Sequence, residues 1–142
     1  MTAFDQLTLH TERLQLRPLR LADAAALFAI FADPRVARYQ SRPPWPDVSL
    51  AHERIAKDIE AMSAGHYACL GIVRMADGRL LGECSLFNLQ LPCRRAELGY
   101  SLACAAWGSG YMSEALRCLL AFGFSQLGLN RVEADIDPRN LA

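Results

Sequence analysis

Lysine is nearly missing from this chain: fourteen of its fifteen basic residues are arginine, and only Lys57 remains. Arginine is the better partner for phosphates because its planar fork matches them with two hydrogen bonds, although scattered arginines read first as surface composition. Charge of one sign is missing too. Fifteen basic residues face fifteen acidic ones for a formal net charge of zero, so the bulk electrostatics favour neither nucleic acid nor an anionic membrane. No stretch reaches the ~18 apolar residues of a membrane span. The start, Met1-Thr2-Ala3-Phe4-Asp5, shows no basic region followed by an apolar run. The five cysteines (Cys69, Cys84, Cys93, Cys104, Cys118) are odd in number, widely spaced and without a C-x-x-C pair, which argues against a disulfide framework and a zinc site. A reduced cytoplasm is the expected location. His10, His52 and His66 have no metal spacing, so they read as surface or packing residues and no metal is expected. There is no Gly-x-Ser-x-Gly elbow, and no P-loop, because Lys57 lies far from the glycines.

What is present is enough apolar residue for a core. At 142 residues and 52% hydrophobic, the chain is expected to form one domain over 1–142. Thr11 to Arg17 alternates polar and apolar up to Pro18, the pattern of a half-buried strand. Asp23 is placed to cap a helix carrying Leu27, Phe28, Ile30 and Phe31, with Asp33-Pro34 ending it. Arg42-Pro43-Pro44-Trp45-Pro46 is a stiff loop, either a plain connector or the border of a site. Ser49 starts a second helix with Ile55, Ile59 and Met62 at i, i+4 and i+7, leaving Glu53, Lys57, Asp58 and Glu60 for solvent, and Gly65 closes it. The period then changes. Tyr67–Arg74 and Arg79–Phe87 flank Ala76-Asp77-Gly78, an Asp-Gly turn that predicts a hairpin. A loop from Asn88 to Arg95 leads to a strand at Ala96–Ala103.

After that strand comes Trp107-Gly108-Ser109-Gly110-Tyr111-Met112 and a helical pattern. Met112, Leu116, Leu119, Leu120, Gly123 and Leu127 share one face, with Gly128 as the C-terminal cap. Two glycines around a serine let backbone N–H groups approach a ligand, and the helix adds unpaired N–H groups and its positive end. That is the outline of a phosphate cradle. A helix terminus attracts an anion by only ~0.3–1 kcal/mol when exposed, so further contacts would be needed. A dinucleotide-binding turn is the competing reading, but the third glycine is absent and four strands precede the turn. Arg131 to Asp137 alternates again. A helix between two such strands implies a parallel pair joined by a right-handed crossover. The expected fold is α/β of the α+β type: a mixed, mostly antiparallel sheet in the order β-α-α-β-β-β-α-β with helices on both faces, without internal repeats.

The chain resembles the GNAT superfamily of N-acetyltransferases, and more closely its branch that acetylates the N-terminal alanine or serine of ribosomal proteins. The resemblance rests on Thr11-Glu12-Arg13-Leu14 with Leu16-Arg17-Pro18, on Glu97-Leu98-Gly99-Tyr100, on Trp107-Gly108-Ser109-Gly110-Tyr111 with Glu114-Ala115, and on Asp137-Pro138-Arg139-Asn140. Trp107 takes the first slot of the superfamily's cofactor motif, Gly110 matches, and Met112 stands where a small residue is expected. The resemblance implies acetyl-CoA as cosubstrate, its pantetheine amides pairing with the backbone of Tyr100, Ser101 and Leu102, where the two parallel strands splay, and its pyrophosphate on the N–H groups from Gly108 through Ser109, Gly110, Tyr111 and Met112 to Ser113. Asn140 matches the family's asparagine that contacts the cofactor.

The implied activity is transfer of an acetyl group to a primary amine, on a protein N-terminus or a small molecule, by direct attack in a ternary complex. Such a reaction needs a base, donors for the tetrahedral oxyanion and an acid near the leaving thiolate. Glu97 and Asp135 are the candidate bases. Glu133, Asp135 and Asp137 share one strand face, and a solvated face or an arginine partner accounts for Asp135 as well as catalysis does; Glu97 pairs as plausibly with Arg94 or Arg95. The family's acid, a Ser or Tyr, follows the asparagine in a later helix. The natural protein is therefore expected to continue past Ala142 with one helix and two strands. Without them the last strand has an exposed edge, which a homodimer would cover. The alternative function is a non-catalytic fragment that binds acyl-CoA or a partner.

Overall fold

The computed structural model describes residues 3–39 and 43–134. Among these the strands are β1 (Leu9–His10), β2 (Leu14–Pro18), β3 (Ala68–Arg74), β4 (Arg79–Gln90), β5 (Arg95–Leu102) and β6 (Arg131–Ala134), and the helices are α1 (Ala24–Phe31), α2 (Pro34–Tyr39), α3 (Ser49–Ser63) and α4 (Tyr111–Gln126). The strands lie in the sheet in chain order. Neighbours from β1 to β5 are antiparallel, and β5 pairs with β6 in parallel, Arg95 to Leu98 against Arg131 to Ala134. The α/β class, the mostly antiparallel sheet, the Asp77-Gly78 hairpin and the parallel final pair thus follow the expectation.

Alternation along the strands sends side chains to two faces. Leu14, Leu16, Leu70, Ile72 and Leu86 join Ala115 and Leu119 of α4 in one buried cluster. Leu19, Val73 and Leu80 join Leu27, Ile30 and Phe31 of α1 and Ile55 of α3 in a second. Six of the seven residues of β3 are buried, because helices cover both of its faces. Trp107 packs against both clusters, at the end of the sheet where β5 leaves it, and Trp45 covers the second cluster with its ring 4.7 Å from Phe31. The Pro-rich loop is in this respect a lid on core.

Several local expectations are corrected. Asp33-Pro34 does not simply end a helix: it opens α2, with Pro34 at the first helical position, where its missing N–H is harmless, and with the Asp33 carboxylate accepting from the Arg35 N–H at 2.9 Å. Asp23 does not cap α1. Its carboxylate takes the Arg20 N–H at 2.7 Å and both arms of the Arg17 guanidinium, at 2.8 and 3.0 Å, pinning the end of β2 to the start of α1. In α3 the face is rotated: Ile59 is 42% exposed, while Asp58 is buried at 4%. β4 runs on to Gln90, into the segment expected as loop.

The start of α4 is braced from across the molecule. The Glu114 carboxylate, on its first turn, accepts from the Thr11 hydroxyl, from the Arg13 N–H at 3.0 Å and from Arg13 Nε at 2.7 Å. Arg13 also donates from Nη1 to the Ser109 carbonyl at 3.1 Å and lies over the Tyr111 ring at 4.3 Å. Thr11 and Arg13 thus set where the helix begins. The Thr11 hydroxyl above all, with help from Arg13, holds the Glu114 carboxyl below the ordinary glutamate range.

Two outcomes follow. A folded-state pKa below the unfolded one contributes stability that is complete above the unfolded value and lost as pH falls through the folded one. The melting temperature of the wild type should therefore exceed that of Glu114→Gln at neutral pH, and the gap should close as the pH is lowered through the carboxylate range; a gap independent of pH would refute the brace. On β4, a Cβ at Gly82 would stand 2.1 Å from the Ser101 carbonyl oxygen. Gly82→Ala should accordingly cost about 2 kcal/mol or more in denaturant unfolding, the range of overpacked cores.

Candidate active site

β5 ends at Leu102, and the chain makes one 3-10 turn, Cys104–Ala106, before the glycines. The Trp107 indole N–H donates to the Leu102 carbonyl at 2.8 Å, tying the turn to the strand it has just left. Gly108 and Gly110 both adopt the left-handed region, φ 79° and 78°, where a side chain would be strained. A Cβ at Gly108 would meet nothing within 4 Å, so this backbone faces open space. Gly110 is the residue before α4, which has no side-chain cap. The N–H groups of Tyr111, Met112 and Ser113 therefore have no carbonyl one turn earlier within the helix to receive them. Bare backbone and a helix N-terminus with outward N–H groups are the features that fit a pyrophosphate. Met112, where a small residue is expected, packs against the α4-side core and leaves the turn open.

Upstream of the turn, Tyr100, Ser101 and Leu102 pair with Cys84, Glu83 and Gly82 on one side. On the other side, β6 reaches only to Leu98 among the described residues. Asp135 and Asn140 lie outside the described residues, as does the expected splay. Glu97 is placed at the far end of β5, five residues and roughly 17 Å of strand from Leu102. Its carboxylate accepts from the Asn88 side chain at 2.6 Å, not from either neighbouring arginine: Arg94 donates to the Gly128 carbonyl and Arg95 to Glu133. Arg131 also pairs with Glu133 at 2.9 Å, so an arginine cluster accounts for that member of the acidic face. Asn88, Glu97, Arg95 and Glu133 line a hollow of about 150 Å³.

A second constellation escaped the sequence reading. On the sheet face opposite α4, Arg54 of α3 donates from Nε to Asp58 at 3.0 Å and from Nη2 to Glu83 of β4. The Tyr67 hydroxyl donates to the other Asp58 oxygen, and the Cys69 thiol to Glu83 at 3.5 Å. Asp58 and Glu83 are 4% and 8% exposed. Burial and the Asp58 carboxylate both push the Tyr67 phenol up, and burial, then Glu83, push the Cys69 thiol up, so both stay protonated as donors. Burial pulls the Arg54 guanidinium the other way, but the Glu83 and Asp58 carboxylates hold it above its ordinary value. Two signals pointed here: Glu83 is a charged residue in the mainly apolar stretch Leu80 to Phe87, and Arg54 and Asp58 stand at i and i+4.

Among the described residues, no group of three His, Cys, Asp or Glu is placed to hold a metal ion, and no helix is long and apolar enough to cross a membrane. Comparison with known proteins bears on the turn and the sheet together. Residues 13–142 match the acetyltransferase (GNAT) domain. The chain is 37% identical over 133 residues to the "uncharacterized N-acetyltransferase p20" of Bacillus licheniformis, covering 94% of this chain and 75% of that protein. It is 32% identical over 134 residues to the "uncharacterized N-acetyltransferase YoaA" of Bacillus subtilis, covering 94% and 76%. Its fold superposes on a GNAT-family acetyltransferase from Bacillus anthracis with a TM-score of 0.82 at 21% identity, over 94% of this chain and 76% of that one. It superposes on the ribosomal-protein-S5-alanine acetyltransferase from Vibrio fischeri with a TM-score of 0.76 at 22% identity, over 96% and 77%. Those two identities speak to the fold alone. The match over residues 13–142 and the identity to p20 go further: this chain belongs to the GNAT acetyltransferase family, whose members transfer acetyl groups.

Proposed function

We propose that the protein moves an acetyl group from acetyl-CoA to a primary amine by direct attack in a ternary complex. The observation that carries this reading is the turn at Gly108–Gly110: two left-handed glycines, open space over the first, and the uncapped start of α4. The N–H groups from Gly108 to Ser113 would hold the pyrophosphate, and the edge of β5 at Tyr100–Leu102 would pair with the pantetheine amides as a missing strand would. Asn140 would add its contact from the segment after β6. Acetyl-CoA supplies a thioester, an activated acyl group with a good leaving sulfur.

The chain's own residues then have to place and deprotonate the amine. The amine nitrogen forms the new C–N bond as the C–S bond breaks, its proton passes to a carboxylate, and the leaving thiolate takes up a proton. Glu97 is one candidate acceptor for that proton, with Asn88 fixing its carboxylate, and Asp135 is the other. The acceptor is either a protein N-terminus or a small amine. A homodimer would pair along the outer side of β6, the last strand of the sheet among the described residues.

The test is direct. Binding of CoA by calorimetry and release of free thiol from acetyl-CoA with a panel of amines should both be seen with the wild type. Gly110→Asp should weaken CoA binding at least about tenfold, roughly 1.4 kcal/mol, by placing bulk and negative charge at the phosphate. Ser109→Glu does the same at an exposed position without a left-handed backbone, and should act likewise with the circular dichroism spectrum unchanged. Unaltered CoA affinity in both folded variants would refute the placement, and binding without thiol release with any amine would show a non-catalytic binder.

A further inference from the structure

Arg13 carries more donors than the brace at the start of α4 uses. Its Nε–H goes to a Glu114 carboxylate oxygen at 2.7 Å and Nη1 donates to the Ser109 carbonyl at 3.1 Å, while Nη2 donates to no group among the described residues. The Glu114 carboxylate does not call for that third arm, because the Thr11 hydroxyl and the Arg13 backbone N–H complete its set. With the Tyr111 ring 4.3 Å from its centre, the guanidinium is held by a carboxylate, a carbonyl and an aromatic face. A planar fork fixed in this way loses little freedom when its remaining arm takes up a hydrogen bond.

The remaining arm borders the glycine turn. A Cβ at Gly110 would stand 3.5 Å from Arg13 Nη2, and no other atom of the described residues comes within 4 Å of it apart from the chain neighbours. The space over the second glycine is thus edged by an arginine, and the space over the first is open. Arg74 also approaches Tyr111, with its guanidinium 5.9 Å from the ring, but it gives Nε and Nη2 to Asp77 at 3.1 and 2.7 Å. The Arg13 side chain is 41% exposed, so an anion on the turn can reach it. A helix N-terminus alone holds an anion weakly. A guanidinium beside it adds charge and a directed donor.

We propose that Arg13 is a binding residue of the cofactor site. Its Nη2 donates to a phosphate oxygen of the CoA diphosphate on the glycine turn, while its Nε neutralises the Glu114 carboxylate that would otherwise repel that anion from the first turn of α4. The assignment rests on the acetyl-transfer reading above, since it concerns the cofactor of that reaction. It adds a side chain from the start of the chain to a turn otherwise made of backbone.

An arginine that only braces the helix and one that also meets phosphate predict different signs for two variants that cut the same ion pair. With the full chain, CoA affinity is measured by calorimetry at several salt concentrations. Arg13→Gln should weaken CoA roughly ten- to a hundredfold, the weight of a charge-assisted hydrogen bond, and should flatten the salt dependence. Arg13→Lys keeps the charge without the fork and should recover part of the loss. Glu114→Gln lowers the melting temperature, yet should bind CoA as tightly as the wild type or several-fold more tightly. Equal weakening in Arg13→Gln and Glu114→Gln is the signature of a brace alone and overturns the proposal. Where Arg13→Gln does not fold because Glu114 is left unpaired, the double variant Arg13→Gln/Glu114→Gln leaves no charge unpaired and replaces it. The double variant should bind CoA at least tenfold more weakly than Glu114→Gln, and equal affinity of those two again overturns the proposal. A wild type that does not bind CoA would defeat the acetyl-transfer reading and this assignment together, whereas CoA binding indifferent to Arg13 defeats this assignment and leaves that reading standing.

Discussion

The pairing of β5 with β4 sets the direction from which every later element enters the site. Gly82 lets the β5 backbone come close enough that a methyl group there would overlap the Ser101 carbonyl, and this closeness fixes Tyr100, Ser101 and Leu102 in a rigid line. From Leu102 the chain has no freedom to wander. The Ala103 N–H goes to the Leu81 carbonyl and the Trp107 indole returns to Leu102, so the glycine turn is delivered at one place. If, as proposed, the β5 edge and the glycine turn hold one ligand, their separation has to be fixed, and hydrogen bonds across two strands fix it.

The far side of the turn is held by a different device. Helix α4 buries its own apolar face through Ala115, Leu119 and Gly123, which sets its rotation but not how far along its axis it begins. Glu114, reached by Thr11 and Arg13, supplies the axial stop. Placing a carboxylate in the first turn of a helix favours the macrodipole, and tying it to a cation keeps that carboxylate from opposing an incoming anion. One ion pair therefore lets the helix keep its positive end without a side-chain cap occupying the N–H groups.

Much of this was legible because it depends on local chemistry. Asp77-Gly78 announces its hairpin, Gly108 and Gly110 a turn of open backbone, and the alternation that begins at Arg131 its strand. The brace was visible only as two separate motifs, Thr11-Glu12-Arg13 and Glu114-Ala115, with Thr11 and Glu114 103 residues apart. What was misread has one physical origin: hydrophobic periodicity assigns charge to the surface. In α3 it sent Asp58 to solvent and Ile59 inward, whereas Asp58 is buried because Arg54 and Tyr67 satisfy it, and Ile59 turns out. A side chain whose burial depends on a partner 29 residues away, as Arg54 depends on Glu83, leaves no mark in a local window. Pro34 was misread for the converse reason, since the residue that ends one helix suits the first position of the next.

Met112 shows why a departure from a motif need not disable a site. A small residue at that position matters if the side chain would otherwise enter the turn. On α4 the direction of a side chain is set by its place around the helix axis, and Met112 falls toward the apolar side, against the core. The turn is made of backbone, and a flexible thioether fills irregular core space without strain. The demands of the proposed phosphate turn therefore fall on Gly108 and Gly110, whose conformations other residues adopt poorly. Side-chain chemistry is concentrated on the opposite face, where Arg54, Asp58 and Glu83 lie. The fold thus keeps apart a turn made of bare backbone, after β5, and a buried side-chain network built on Arg54, Asp58 and Glu83, on the sheet face opposite α4.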